Sequence, residues 1–247
     1  MNTLVLDLGG SGVKFGHWCT TKSGVNRLLK HGKYKMEKYS PSMVLDAVES
    51  ILPGINKIVV GVPAPVKDNI VQTNPANLGD GWCGLDLSSW LGLKTIGYND
   101  AAMQALGAYS SLYSKHTKQD SDAMLYLGFG TGLGTALVAG RTRAIVLPLE
   151  AGHLPAERKK SFEQLVCNKV YKADFNAWVA NSMVAIERLA CAFLPKFVVL
   201  GGGNSKHLPI ERITKSLRKD HNIDLPILLG TNRHALVGGV ILSNKLG

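Results

Sequence analysis

The sequence predicts an α/β protein made of two domains of similar plan facing a cleft. Three observations carry that prediction. A strand, a glycine turn and a second strand occur at the start of the chain and again near its middle. Strand-like and helix-like patterns alternate after each of these units. The length, 247 residues, accommodates two compact domains, since domains commonly run ~100–200 residues.

In chain order, Thr3–Asp7 is an apolar run that leads into Gly9, Gly10, Ser11 and Gly12 and continues as Val13–Cys19. Leu28–Tyr34 reads as a third strand. Met43–Leu52 has helical spacing and stops at Pro53-Gly54. Lys57–Val62 and Thr95–Tyr98 read as strands, the second running into a helix from Asn99 to Ser114. Between Ser110 and Asp122 the chain turns polar, which places the domain boundary near residue 118 and gives domains 1–118 and 119–247. Ala123–Leu127, Gly128–Gly134 and Thr135–Ala139 then repeat the strand–turn–strand unit. Phe175, Val179, Ser182, Ile186, Leu189 and Phe193 recur at spacings of three and four, predicting a long half-buried helix over Asp174–Leu194. Phe197–Leu200 and Pro226–Leu229 read as strands. A closing helix over 232–243 is expected to pack back on the N-terminal domain, its Gly238-Gly239 pair permitting close approach.

Composition narrows the class. With 45% hydrophobic and 19% charged residues, the chain is not disordered. No apolar run approaches the ~18 residues of a membrane span, and the stretch MNTLVLDLGG is too short for a signal peptide. The expected compartment is the cytoplasm. Cys19, Cys83, Cys167 and Cys191 are scattered, which argues against a zinc site and a disulfide framework. The 28 Lys+Arg against 18 Asp+Glu leave a net charge of +10, suited to an anionic partner. Nucleic acid is not expected to be that partner, because no recognised module is present and aromatics are only 7% of the chain.

Neither glycine loop contains the G-x-x-x-x-G-K-[ST] pattern of a P-loop. Both continue into strand-like residues, whereas a dinucleotide fingerprint opens a helix. Glycines in a tight hairpin turn leave backbone N–H groups uncovered, able to hold phosphate oxygens. Taken singly, each loop reads first as a plain hairpin turn; two loops in matching positions, one with Asp7 and Lys14 beside it, favour the phosphate reading. Asp7 ends an apolar strand, where an unpaired carboxylate is costly. It can orient a Mg²⁺-bound water while Lys14 neutralises phosphate, or the two can form a structural ion pair.

The stretch Asp7-Leu-Gly-Gly-Ser-Gly-Val-Lys14 resembles the first phosphate motif of the actin/hexokinase/Hsp70 superfamily, in the form used by ROK-type sugar kinases. The family's other motifs follow in order: Gly61-Val-Pro-Ala-Pro-Val66, Asn77 to Trp82, Asn99-Asp-Ala101, Leu127–Gly134, Glu150-Ala-Gly-His153 and Gly201-Gly-Gly203. Glu150–Pro155 and Val199–Asn204 are similar to polyphosphate glucokinases and related short glucokinases in particular. The resemblance covers nearly the whole chain. It implies two actin-like (ribonuclease H-like) domains flanking a cleft, and transfer of a phosphoryl group to the 6-hydroxyl of glucose.

The resemblance implies that Asp100 is the catalytic base; from the residues alone Asp100 is also a candidate helix cap. It assigns sugar binding to Asn77, Asn99, Asp100, Glu150, His153 and Glu163. Donor phosphates fall to Asp7, Gly9, Gly10, Ser11, Gly12, Lys14, Gly130, Thr131, Gly132, Gly201, Gly202 and Gly203. Mg²⁺ is implied with ATP or polyphosphate as donor, and a homodimer as the assembly. Many ROK proteins carry a zinc-binding cysteine cluster after the Glu-x-Gly-His motif, but Leu154–Glu163 contains no cysteine, so no zinc is expected and Glu163 must be placed by helix packing. Ala64 stands where the family often has Gly. A polyphosphate donor needs a basic track, for which Arg141, Arg143, Arg158, Lys159, Lys160, Lys169, Lys172, Lys206, Arg212, Lys215, Arg218 and Lys219 are candidates. Two other readings stay open: an ATP-only kinase for another hexose, and a catalytically silent sugar-binding regulator. The repressors of this family carry an N-terminal helix-turn-helix, whereas this sequence starts directly with the Asp7 strand.

Overall fold

The computed structural model describes residues 1–116, 119–140, 144–157 and 159–244, apart from the side chains of Ser89, Tyr113, Ser114 and Lys115. The expected boundary at 118, and Arg141, Arg143 and Arg158, lie outside the described residues. The chain divides into two compact units, Met1–Gly107 with Ala235–Gly247, and Ala108–His234.

The first unit contains β1 (Asn2–Gly9), β2 (Gly12–Thr20), β3 (Asn26–Tyr34), α1 (Pro41–Val48), β4 (Lys57–Val62), β5 (Val66–Lys67), β6 (Ile70–Val71), α2 (Leu87–Trp90), β7 (Lys94–Asn99) and the start of α3 (Asp100–His116). Its sheet has the order β3-β2-β1-β4-β7, antiparallel on the β2 side of β1 and parallel on the β4 side. β1 is central, so both faces are covered and its run from Thr3 to Leu8 is buried throughout. Leu4, Leu6 and Leu8 join Val44 and Val48 of α1 in one core, which also holds Tyr39 and Trp82. Ser40 caps α1 by accepting from Met43 N, and Pro41 opens it, where a missing N–H costs nothing. The predicted helix Met43–Leu52 is α1 followed by a 3₁₀ turn, Glu49–Ile51.

The second unit contains β8 (Ala123–Phe129), β9 (Leu133–Ala139), β10 (Ile145–Pro148), β11 (Pro155–Glu157), β12 (Lys160–Ser161), α4 (Phe162–Val166), α5 (Asn168–Ala173), α6 (Phe175–Phe193), β13 (Phe197–Gly201), α7 (Ile210–His221) and β14 (Ile227–Leu229). Its sheet order, β10-β9-β8-β13-β14, repeats the plan of the first: an antiparallel meander followed by two parallel strands. Asp174 caps α6 through Ala177 N at 2.9 Å. Trp178, Ile186 and Leu189 of α6 enter a core with Leu125, Leu127, Val198 and Leu200. α7 is not among the predicted elements; it buries only Ile213 and Leu217.

The last helix, α8 (His234–Asn244), belongs from Ala235 onward to the first unit. A side chain at Gly238 would collide with the Met103 carbonyl of α3, and one at Gly239 with Val5 of β1. Lys57, 4% exposed, donates to the Ser243 carbonyl at 2.7 Å, a cation at the C-terminal end of α8 where the macrodipole favours one. In an exposed helix Gly→Ala adds ~1 kcal/mol of stability. At Gly238 the backbone collision reverses the sign: Gly238→Ala is expected to lose ~2–3 kcal/mol in urea unfolding, and a neutral or stabilised variant contradicts this packing.

Candidate active site

In the first unit the parallel strands end side by side. Asp7 of β1 lies opposite Gly61 of β4, and Gly61 and Val62 lie opposite Tyr98 and Asn99 of β7. Carboxyl ends of parallel strands are where open α/β sheets place ligands. Asp7 is 3% exposed and is paired with Lys14 across the hairpin, Nζ to Oδ2 2.9 Å. The Asp7 charge holds the Lys14 ammonium above its ordinary pKa against the opposing effect of burial, and Asp100 adds to the rise.

Between them runs the glycine turn. Gly9 pairs with Gly12, leaving Gly10 and Ser11 as a two-residue loop. Gly12 has φ +123° and faces the Tyr34 carbonyl, so no side chain fits there. Tyr39, fully buried, donates its hydroxyl to Gly9 O at 2.9 Å. Its carbonyl accepts from Gly79 N at 3.0 Å and Trp82 Nε1 at 3.1 Å. Tyr39 therefore ties the glycine turn to the loop that carries the half-buried Asn77.

At the start of α3 the two candidate residues separate. Asn99, 8% exposed, accepts from Ala102 N at 3.0 Å and donates to Ala64 O at 3.4 Å. Asn99 is thus the helix cap, and its amide also anchors the loop in which Ala64 replaces the family's glycine. The Asp100 carboxylate follows in the first turn, accepting from Ala101 N at 2.8 Å. Its charge acts on both Lys14 and Tyr39. Gly61 lies beside this turn: a side chain there would meet the tip of the Met103 side chain one turn into α3.

In the second unit Gly130, Thr131 and Gly132 form the turn between β8 and β9, with Gly130 N bonded to Gly132 O at 3.1 Å. Gly202, φ +81°, packs against the backbone of Phe129, and Gly201 against the Tyr126 hydroxyl. Asn204 links the two loops, its N to Phe129 O at 3.1 Å and its Nδ2 to Gly130 O at 3.4 Å. A Cβ at Gly203 would meet no neighbouring atom within 4 Å.

Glu150, His153 and Glu163 come together in this unit. His153 Nδ1 lies 3.2 Å from Glu163 Oε2, and Nε2 lies 3.6 Å from Glu150 Oε2. Glu150 adopts φ +48° at the head of the 3₁₀ turn Ala151–His153, which Thr135 holds through Ala151 N at 2.8 Å. Glu163 is placed by α4, whose Ser161–Gln164 capping box fixes its first turn. A side chain at Gly132 would collide with the Glu163 carboxylate, so the glycine turn and the acidic group are in contact. Burial pushes Glu150 above its ordinary pKa, His153 pulls it back, and Glu163 adds to the rise.

The basic residues proposed for a track divide. Arg212, Lys215 and Lys219 are exposed on α7 at helical spacings of three and four, so they share one face. Arg218 is paired with Asp224 at 2.6 Å. Lys33, absent from the expected site, reaches it: its Nζ donates to Ser11 Oγ at 2.8 Å. No sequence signal points there; the register that sets Lys33 opposite Lys14 is seen only in the structure.

Comparison with known proteins gives the family and the fold. The glucokinase family profile matches residues 4–191. A polyphosphate glucokinase of Mycobacterium leprae is 28% identical over 220 residues, covering 81% of this chain and 63% of the relative, so the chain spans under two thirds of that protein's length. The fold superposes on the inorganic polyphosphate/ATP-glucomannokinase of Arthrobacter sp. strain KM with a TM-score of 0.75 at 21% identity, covering 100% of this chain and 99% of that one. A ROK family glucokinase from Streptomyces griseus, solved with glucose and AMPPNP, gives 0.71 at 19% identity, covering 99% and 100%. Each unit carries one five-stranded sheet, and the profile match spans most of the sequence: the chain belongs to the glucokinase family.

Proposed function

We propose that the chain is a hexose kinase that transfers a phosphoryl group from ATP, polyphosphate or both to the 6-hydroxyl of glucose. The observation that carries this reading is the division of roles at the start of α3. Asn99 caps the helix, and Asp100 stands beside it at the carboxyl ends of the parallel strands, its charge acting on Lys14. The helix N-terminus and the Lys14 ammonium both favour the ionised carboxylate that a base requires. As the sugar oxygen attacks the terminal phosphorus, the bond from that phosphorus to the donor's bridging oxygen breaks, and the hydroxyl proton passes to Asp100. Because the transition state is loose, positioning matters more than base strength.

The reading assigns the sugar's other hydroxyls to Asn77, Glu150, His153 and Glu163, with Asn99 setting the position of Asp100 as well as facing the sugar. Two carboxylates and an imidazole supply acceptors and a donor of the kind that sugar hydroxyls need. Donor phosphates fall to the amides of Gly9–Gly12, Gly130–Gly132 and Gly201–Gly203, with Lys14 neutralising charge. Among the described residues no group of three His, Cys, Asp or Glu could hold a metal ion. Mg²⁺ would arrive with the donor's phosphates and neutralise part of their charge, and Asp7 is the carboxylate of the first turn that would hold it through a water. The similarity to polyphosphate-using relatives and the +10 charge support a polyanionic donor. Among the described residues no helix is long and apolar enough to cross a membrane.

A panel of hexoses against ATP and polyphosphate tests the proposal: glucose phosphorylation by at least one donor is expected, and no turnover of any hexose by either overturns it. Asp100→Asn is expected to lower kcat by about a hundredfold or more while leaving glucose affinity near wild type; near-normal turnover removes Asp100 from the mechanism. Glu150 accepts a sugar hydroxyl best when ionised, and its pKa is raised. Glucose affinity should then fall on acidification at a higher pH than an ordinary carboxylate near ~4.3 would give, and Glu150→Gln should bind weakly without that dependence. The same shift means that the folded chain holds the Glu150 proton more tightly than the unfolded chain. Wild-type stability relative to Glu150→Gln therefore declines as pH rises through the carboxylate range. Calorimetry across that range, showing wild-type affinity in the Gln variant, would contradict the assignment.

A further inference from the structure

The strand register places three charged side chains in one row. Asp7 of β1 lies opposite Lys14 of β2, and Lys14 lies opposite Lys33 of β3. Like charges directly opposite one another destabilise a sheet, so folding alone does not account for two lysines in register. Such local conflicts with the fold are expected at functional positions.

The two ammonium groups turn in different directions. Lys14 Nζ goes to Asp7 Oδ2 at 2.9 Å, and Lys33 Nζ goes to Ser11 Oγ at 2.8 Å. Asp7 neutralises Lys14, whereas among the described residues Lys33 takes part in no ion pair. An ammonium only donates, so Ser11 Oγ accepts from Lys33 and its own hydrogen is available to another acceptor. Lys33 keeps two further N–H donors. Lys33 and Ser11 are both exposed, and Gly10 beside Ser11 in the two-residue loop is half-buried and has no side chain. A full positive charge, a hydroxyl donor and turn amides at one place match the oxygens of a phosphate.

We propose that Lys33 is a further donor-binding residue, which with Ser11 takes phosphate oxygens of the phosphoryl donor. This rests on the reading of the Gly9–Gly12 turn as a donor site. Lys14 reaches the donor already compensated by Asp7; Lys33 supplies the uncompensated charge. Lys30, exposed on the same strand and paired with His17, lies three residues away and so points to the other face of the sheet. It is the control for charge without position.

The test is calorimetric titration with inorganic tripolyphosphate of the full chain and of Lys33→Met, Lys33→Arg and Lys30→Met. Lys33→Met keeps the aliphatic stem and relieves the like-charge register, so its thermal stability should equal or exceed that of wild type. Its affinity should fall about tenfold, as for loss of a charge-assisted contact, Lys33→Arg should recover most of it, and Lys30→Met should match wild type. Undiminished affinity in Lys33→Met, an equal loss in Lys30→Met, or no binding by wild type overturns the proposal. Hexose phosphorylation by the same samples separates the two readings. Binding through Lys33 without turnover of any hexose overturns the kinase and leaves the anion site. An active wild type whose donor KM is unchanged in Lys33→Met overturns the Lys33 assignment alone.

Discussion

A nearly buried carboxylate at the end of a central strand is the constraint on which the first unit depends. Asp7 is 3% exposed, and leaving it without a partner would cost several kcal/mol of lost hydration. Lys14 meets that need from the neighbouring strand at 2.9 Å, and its place opposite Asp7 fixes the register of the β1–β2 hairpin. That register makes Gly9–Gly12 a two-residue turn and puts Gly12 against the Tyr34 carbonyl, where no other residue fits. The separate β2–β3 register brings Lys33 into the row, where its ammonium reaches Ser11. The ion pair thus organises the turn, and the third strand adds the second lysine.

The second unit repeats the topology but not the charge. Its β8–β9 turn has no ion pair of this kind among the described residues; its carboxylates come from elsewhere, Glu150 from the loop after β10 and Glu163 from α4. The two glycine turns occupy the same place in the topology but differ in length, two residues against three, and in what surrounds them. The first sits among lysines and a carboxylate that together suit phosphate and a proton acceptor. The second adjoins Glu163, which with Glu150 brackets an imidazole suited to hydroxyls.

Much of this was legible in the sequence, for physical reasons that can be named. β1, β4, β8 and β13 are buried on both faces, so they read as continuous apolar runs. α6 shows its period because it buries one long face. α7 was not legible in the same way: only two of its residues are buried and half of its positions are charged, although Ile210, Ile213 and Leu217 keep the helical spacing. The Asn99-Asp100 pair announces a helix start without saying which residue caps it; only the bond from Ala102 N identifies Asn99. Lys33 was invisible for a different reason. Composition records a basic strand, but register decides which lysine faces the turn.

The central claim is that Asp100 takes the proton from the hydroxyl that receives the phosphoryl group. A crystal structure of the chain with glucose bound tests it most directly. The account predicts an Asp100 carboxylate oxygen within about 2.6–3.2 Å of the sugar's 6-hydroxyl oxygen. A glucose whose 6-hydroxyl is bonded elsewhere, with Asp100 paired instead to Lys14, would contradict it.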